Sequence, residues 1–125
     1  MERKSFPFEK LEVWQQAREI VREVYRLTTD FPKSEMFGLT SQIRRAAVSI
    51  ANNLAEGSTR ASPKEQAHFT NIAHGSVSEL FCSLILASDL QFTSIPQIDP
   101  LFKKAYDLSV RLHNLHQSQL NRVAG

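Results

Sequence analysis

The apolar positions along this chain recur at helical spacing, and no stretch alternates as a strand would. Trp14, Ala17, Val21, Val24 and Thr28 follow one another at intervals of 3, 4, 3 and 4, and Val13, Ile20 and Leu27 widen the same stripe. That is the pattern of an amphipathic helix with one face in a core. It predicts a first helix over 10–28, ended at Asp30-Phe31-Pro32 because a proline disfavours helical geometry in the residue before it. Met36, Leu39, Ile43, Ala46, Ala47, Ile50 and Leu54 share one face of a second helix over 35–56. Ser34 is its expected N-cap, Glu35 complements the dipole in its first turn, and Gly57 is placed as a C′ glycine.

The clearest start signal is Ser62-Pro63-Lys64-Glu65, a capping box with proline at N1. Behind it, Phe69, Ala73, Ser76, Leu80, Leu84 and Ala87 define a third helix over 63–92, about 45 Å long at a rise of about 1.5 Å per residue. Asp99-Pro100 reads as a second cap-plus-proline start. Leu101, Ala105, Leu108, Leu112, Leu115 and Gln119 then carry a fourth helix over 100–122. Short connections favour antiparallel neighbours. The expectation is an all-α fold, an up-down-up-down antiparallel four-helix bundle forming a single domain over 1–125.

Two stretches exceed what such a core needs. Ala46 to Ala55 carries no charge. At about 100° per residue, Val48, Ala51 and Ala55 lie well away from the Leu39/Ile43/Ile50/Leu54 face. Between Glu79 and Asp89 the third helix is apolar nearly all round, with Phe81 and Ile85 turned away from Leu80 and Ala87. Uncovered apolar surface of that extent implies a partner. Val48, Ala51, Ala55, Phe81 and Ile85 are therefore candidate subunit-interface residues of a homo-oligomer. The alternative is a deeply set third helix covered by the Phe6-Pro7-Phe8 segment.

Composition narrows the functional classes. Fifteen Lys+Arg against thirteen Asp+Glu leave a net charge of +2, too even for a polycation binding by bulk charge. Cys82 is the single cysteine, so no internal disulfide forms, as suits a reducing compartment. The N-terminal residues lack the apolar core of a secretory leader, and no run is long enough to span a membrane. The expected location is cytoplasmic.

The candidate chemistry is that of binding. Arg18, Arg22 and Arg26 repeat every four residues on one flank of the first helix, where they could follow phosphates. The competing reading pairs Arg22 and Arg26 with Glu19 and Glu23 on a solvated face. Arg45, Ser49, Asn52 and Glu56, beside Gln42 and Asn53, form a polar stripe on the second helix. It reads either as a binding groove or as a structural network in which Arg44, Arg45 and Arg60 pair with Glu35, Glu56, Glu65 or Glu79 across helices or subunits. His113 and His116 are three apart, without the further ligands of a metal site, and His68 and His74 read as surface residues. Cys82 reads as inert packing, and Gly75-Ser76 as close helix packing. No nucleophile, phosphate-loop or dinucleotide motif is present. No metal, cofactor or catalytic residue is expected.

Several of these residues carry a resemblance. Leu11-Glu12-Val13-Trp14-Gln15-Gln16-Ala17, the run from Phe31 to Ile50, Asn53-Leu54-Ala55-Glu56-Gly57, Arg60, Ser62, Glu65 and Ala73-His74-Gly75-Ser76-Val77-Ser78-Glu79-Leu80 resemble, in order, a bacterial family. It is the four-helix-bundle family named after proteins encoded in intervening sequences of 23S rRNA genes. The resemblance covers residues 8 to about 92. It implies a subunit that assembles into a homopentamer, and it extends to the basic accessory protein of diversity-generating retroelements, which works with a reverse transcriptase and nucleic acid. Phe81-Cys82 departs from the family pattern, which places a more polar pair there, and this chain is the less basic of the two. The resemblance points to Arg18, Arg22, Arg26, Arg44, Arg45, Lys103, Lys104, Arg111 and Arg122 as contacts to RNA or DNA. The implied function is a non-enzymatic oligomeric bundle that binds RNA or accompanies a nucleic-acid enzyme. The alternative is a protein-binding scaffold without nucleic acid.

Overall fold

A computed structural model describes residues 3–125 of the chain; Met1 and Glu2 lie outside it. Four helices dominate: α1 (Glu12–Thr28), α2 (Leu39–Ser58), α3 (Pro63–Asp89) and α4 (Ile95–Ala124). Short 3-10 turns at Pro7–Lys10 and Lys33–Glu35 precede α1 and α2, and no strand occurs among the described residues. Each helix packs on two others, in the cycle α1, α2, α3, α4 and back to α1. One apolar core lies between them. Ile20, Val24, Ile43, Ile50, Val77, Leu80, Leu84, Leu108 and Leu112 are fully or almost fully buried there. At about 1.5–3 kcal/mol for each large apolar side chain removed from water, this core is the main stabilising contribution.

The helix ends show where local signals were decisive and where they were not. Ser62 Oγ accepts from the Glu65 amide at 3.1 Å, as its position requires. The second helix starts later than Ser34 suggests. Residues 33–35 form a 3-10 turn, and Glu35 Oε1 accepts from the Leu39 amide at 3.1 Å. Gly38 holds the N-cap position of α2 and the Glu35 side chain accepts from its first amide, while Met36 and Phe37, which precede the helix, are exposed. The fourth helix begins at Ser94-Ile95-Pro96, ahead of Asp99-Pro100. Pro100 then sits within the helix, on an exposed side where the hydrogen bond it omits is open to water.

Two glycines differ from their expected roles. Gly57 is buried inside α2, which continues to Ser58, and it has no left-handed backbone. A Cβ there would stand 2.9 Å from the Phe69 Cβ of α3, so the glycine allows two helices to approach. Gly75, read as the close-packing glycine, has nothing within 4 Å of its Cβ position. The one left-handed residue among the described residues is Gln91, at φ 63°. It follows α3 in a Schellman closure, with Gln91 N–H donating to Ser88 O and Phe92 N–H to Ala87 O.

The Phe6-Pro7-Phe8 segment does not cover α3. Its turn contacts α1 and α2, with the Phe8 ring edge-on to Trp14 at 4.9 Å. Phe81 is not free either, because its ring stacks on Phe102 of α4 at 5.0 Å. Ile85 and its neighbour Leu86 stay 47 % exposed. Ala51 packs against the core, and Val48 and Ala55 are half-buried on the outer face of α2.

Candidate nucleic-acid interface

The outer face of α2 collects the polar stripe into two shallow grooves. One, of about 420 Å3, is lined by Tyr25 of α1 and by Arg44, Arg45, Val48, Ser49, Asn52 and Asn53. The other, of about 570 Å3, runs along the α2–α3 seam between Arg45 and Ser49 on one side and Glu79 and Cys82 on the other, with Gln42 also in its wall. The helical period explains the arrangement. Ile43, Ala46, Ala47 and Ile50 turn into the core, which leaves Arg45, Ser49 and Asn52 outward.

The first groove is preorganised. The Arg44 guanidinium lies 4.5 Å from the centre of the Tyr25 ring, and its Nε donates to Thr28 Oγ1 at 2.8 Å. A guanidinium held over an aromatic face loses less freedom when it meets an anion than a solvated one does. Asn53 donates to Ser49 O at 2.8 Å, and Ser49 shares a 2.8 Å hydrogen bond with Ser76 of α3. No acidic residue lines this groove.

The pairings proposed from sequence are rearranged. Arg60 does pair with Glu56, and it also lies over the Phe69 ring at 5.1 Å. Among the described residues Arg44 and Arg45 form no salt bridge; Glu35 is engaged at the start of α2 and Glu65 lies in the first turn of α3. Glu79 faces Arg45 across the second groove without reaching it. Cys82 is exposed in the wall of that groove, which corrects its reading as packing.

The arginine flank of α1 also divides. Steps of four residues drift around a helix by about 40° each. Arg18 accordingly sits 5.6 Å from the Trp14 ring, near Glu9, and Arg26 sits beside Lys104. Glu19 and Glu23 do not pair with Arg22 and Arg26 as the competing reading required. Both instead reach Lys104 on α4. The Glu23 carboxylate holds the Lys104 ammonium above the ordinary lysine value. Lys103 pairs with Asp99, and Arg111 with Glu12 and Asp107. These three cations are partly neutralised, and Arg122 stands apart, exposed in the last turn of α4.

A model of the family described as 23S rRNA-intervening sequence protein matches residues 9–114. The chain belongs to that family. No individual curated protein matches it. The match to the 23S rRNA-intervening sequence proteins takes in α1, α2, α3 and most of α4, including both grooves. Tyr25 was missed as a groove residue, because its contact with Arg44 depends on how α1 and α2 pack. His74 and His113 bring their rings to 6.5 Å across α3 and α4. No group of three or more His, Cys, Asp or Glu able to hold a metal ion occurs among the described residues. None of their helices is long and apolar enough to cross a membrane.

Proposed function

We propose that this chain is a non-enzymatic subunit of a cytoplasmic homo-oligomer, a pentamer, that binds RNA or serves as accessory to a nucleic-acid enzyme. The observation that carries the nucleic-acid reading is the groove of Tyr25, Arg44, Arg45, Ser49, Asn52 and Asn53. It offers two cations for phosphate, one of them held on the Tyr25 ring, and amides for base edges, with no acid in its wall. Membership of the 23S rRNA-intervening sequence protein family supports the same direction.

Within the subunit we read an up-down-up-down antiparallel bundle over 1–125. Supporting this, Glu12 meets Arg111, Gln16 meets Asp107 and Glu23 meets Lys104, so the numbering rises on α1 as it falls on α4. Ser49 with Ser76 and Gly57 with Phe69 give the same opposed register for α2 and α3. Self-association is supported by the neighbouring exposed side chains Ile85 and Leu86, which no described segment covers.

Fluorescence anisotropy with labelled RNA, repeated with DNA of the same sequence, tests the groove. Binding should tighten at low salt, and Arg44→Ala or Arg45→Ala should weaken it and lower the salt slope by about one unit per lost phosphate contact. A signal independent of salt, or none at low salt, refutes the reading. The protein-binding scaffold is the second reading, favoured by the ion-paired α1–α4 surface, and it survives if the groove fails. Light scattering after size exclusion tests assembly. Ile85→Asp should dissociate the oligomer with helix content intact, and a wild-type mass of 14.2 kDa would refute self-association.

A further inference from the structure

The groove of Tyr25, Arg44 and Arg45 does not end at Asn52. A further hollow of about 540 Å3 shares Asn52 with it and continues past Ala55 and Thr59 to the N-terminal turn, where Phe6 and Phe8 stand in the wall. Arg45 and Ala55 are ten residues apart on α2, about 15 Å along the helix. The path therefore has room for a strand rather than for one phosphate group. Glu56 is the one carboxylate lining the further hollow, and Arg60 pairs with it.

The far end of this path is aromatic. Phe6 is 65 % exposed, and its ring lies nearly parallel to that of Phe8, with centres 5.8 Å and planes 17° apart. Phe8 in turn meets the Trp14 ring edge-on. The turn that carries them is held in place. Pro7 opens it, the Phe6 amide donates to the Glu9 carboxylate at 2.7 Å, and the turn packs on α1 and α2. An aromatic ring fixed in this way and open to water loses little freedom when another flat ring covers it. The Tyr25 ring already carries the Arg44 guanidinium, so Phe6 is the platform left for a base. A base reaches such a platform only from an unpaired strand, because the bases of a duplex are stacked on one another. We propose, on the reading of the α2 groove as an RNA site, that it takes RNA as an unpaired strand, with phosphates at Arg44 and Arg45 and a base stacked on Phe6.

The test is anisotropy with the full chain, comparing a labelled RNA strand free of self-complementarity with the same strand annealed to its complement. The single strand should bind about tenfold more tightly. Phe6→Leu keeps the apolar bulk and removes the aromatic face. It should weaken the single strand about tenfold, leave the duplex and the salt slope unchanged, and contrast with Phe6→Tyr, which should bind as the wild type does. Arg45→Ala should instead lower the salt slope for both forms. Equal binding of the two forms, or full-strength binding by Phe6→Leu, overturns the unpaired-strand site and leaves the salt-dependent groove standing. A changed assembly mass for Phe6→Leu in light scattering makes Phe6 a contact with a second copy, and overturns it too. Absence of binding by either form at low salt overturns the RNA reading and this site together. The wild-type comparison of the two forms decides even if a variant fails to fold.

Discussion

Replacing glycine by alanine should have opposite effects at two positions in this chain. Inside a helix, the substitution gains about 1 kcal/mol from backbone entropy and propensity. At Gly75 the new methyl meets nothing within 4 Å, so Gly75→Ala should keep that gain. At Gly57 the methyl would lie 2.9 Å from the Phe69 Cβ. Ordinary contact begins near 3.4 Å, so one backbone must move by about half an ångström. The atom in the way is a Cβ fixed to α3, and no side-chain rotation removes it. Overpacking of this kind costs about 1–3 kcal/mol, which exceeds the propensity gain. Gly57→Ala should therefore lose about 1 kcal/mol, and the two variants should differ by about 2 kcal/mol. Urea unfolding followed by far-UV circular dichroism measures both, with the midpoint compared at equal slope. If Gly57→Ala is as stabilising as Gly75→Ala, the close approach of α2 and α3 is not real. A loss at Gly75 would place a second chain against α3 at that point.

Two further outcomes follow from local geometry. Gln91 holds a left-handed backbone that costs a side-chain-bearing residue about 1 kcal/mol, so Gln91→Gly should stabilise the protein by about 0.5–1 kcal/mol in the same assay; destabilisation would contradict the Schellman closure after α3. The Glu9 carboxylate accepts from Arg3 and from the Phe6 amide, which holds its pKa down to about 2 against an ordinary 4.5. A depressed folded-state value means that ionised Glu9 stabilises the N-terminal turn above pH 4.5. That contribution is lost as the pH falls towards 2. Carbon-detected NMR should place the Glu9 midpoint near 2 and show Arg3→Ala raising it; an ordinary midpoint in the wild type would refute the ion pair.

The helical period and the strongest caps were legible along the chain, because they depend on neighbours within a turn. Ser62 before Pro63 and the Ile20/Val24 stripe needed no tertiary information. The second and fourth helix starts were misplaced because more than one local signal competed. Ser34 suited an N-cap and Glu35 a first turn, yet both lie in the 3-10 turn ahead of α2, and Asp99-Pro100 imitated a start already made at Ser94-Ile95-Pro96.

The candidate site was legible only as a list of residue types. Arg44, Arg45, Asn52 and Asn53 could be placed on one helix, but Tyr25 joins them only because α1 lies beside α2. Partners could not be read at all: Lys104 takes Glu23 from 81 positions away, which leaves Arg22 and Arg26 without the carboxylates their spacing offered. The sequence by itself determined four helices and their core faces, since hydrophobic periodicity is a local property of the backbone. Tertiary structure decided which charges neutralise one another, which glycine is a contact and which is open, and where cavities remain. Those depend on distances between helices, and no spacing along one chain encodes them.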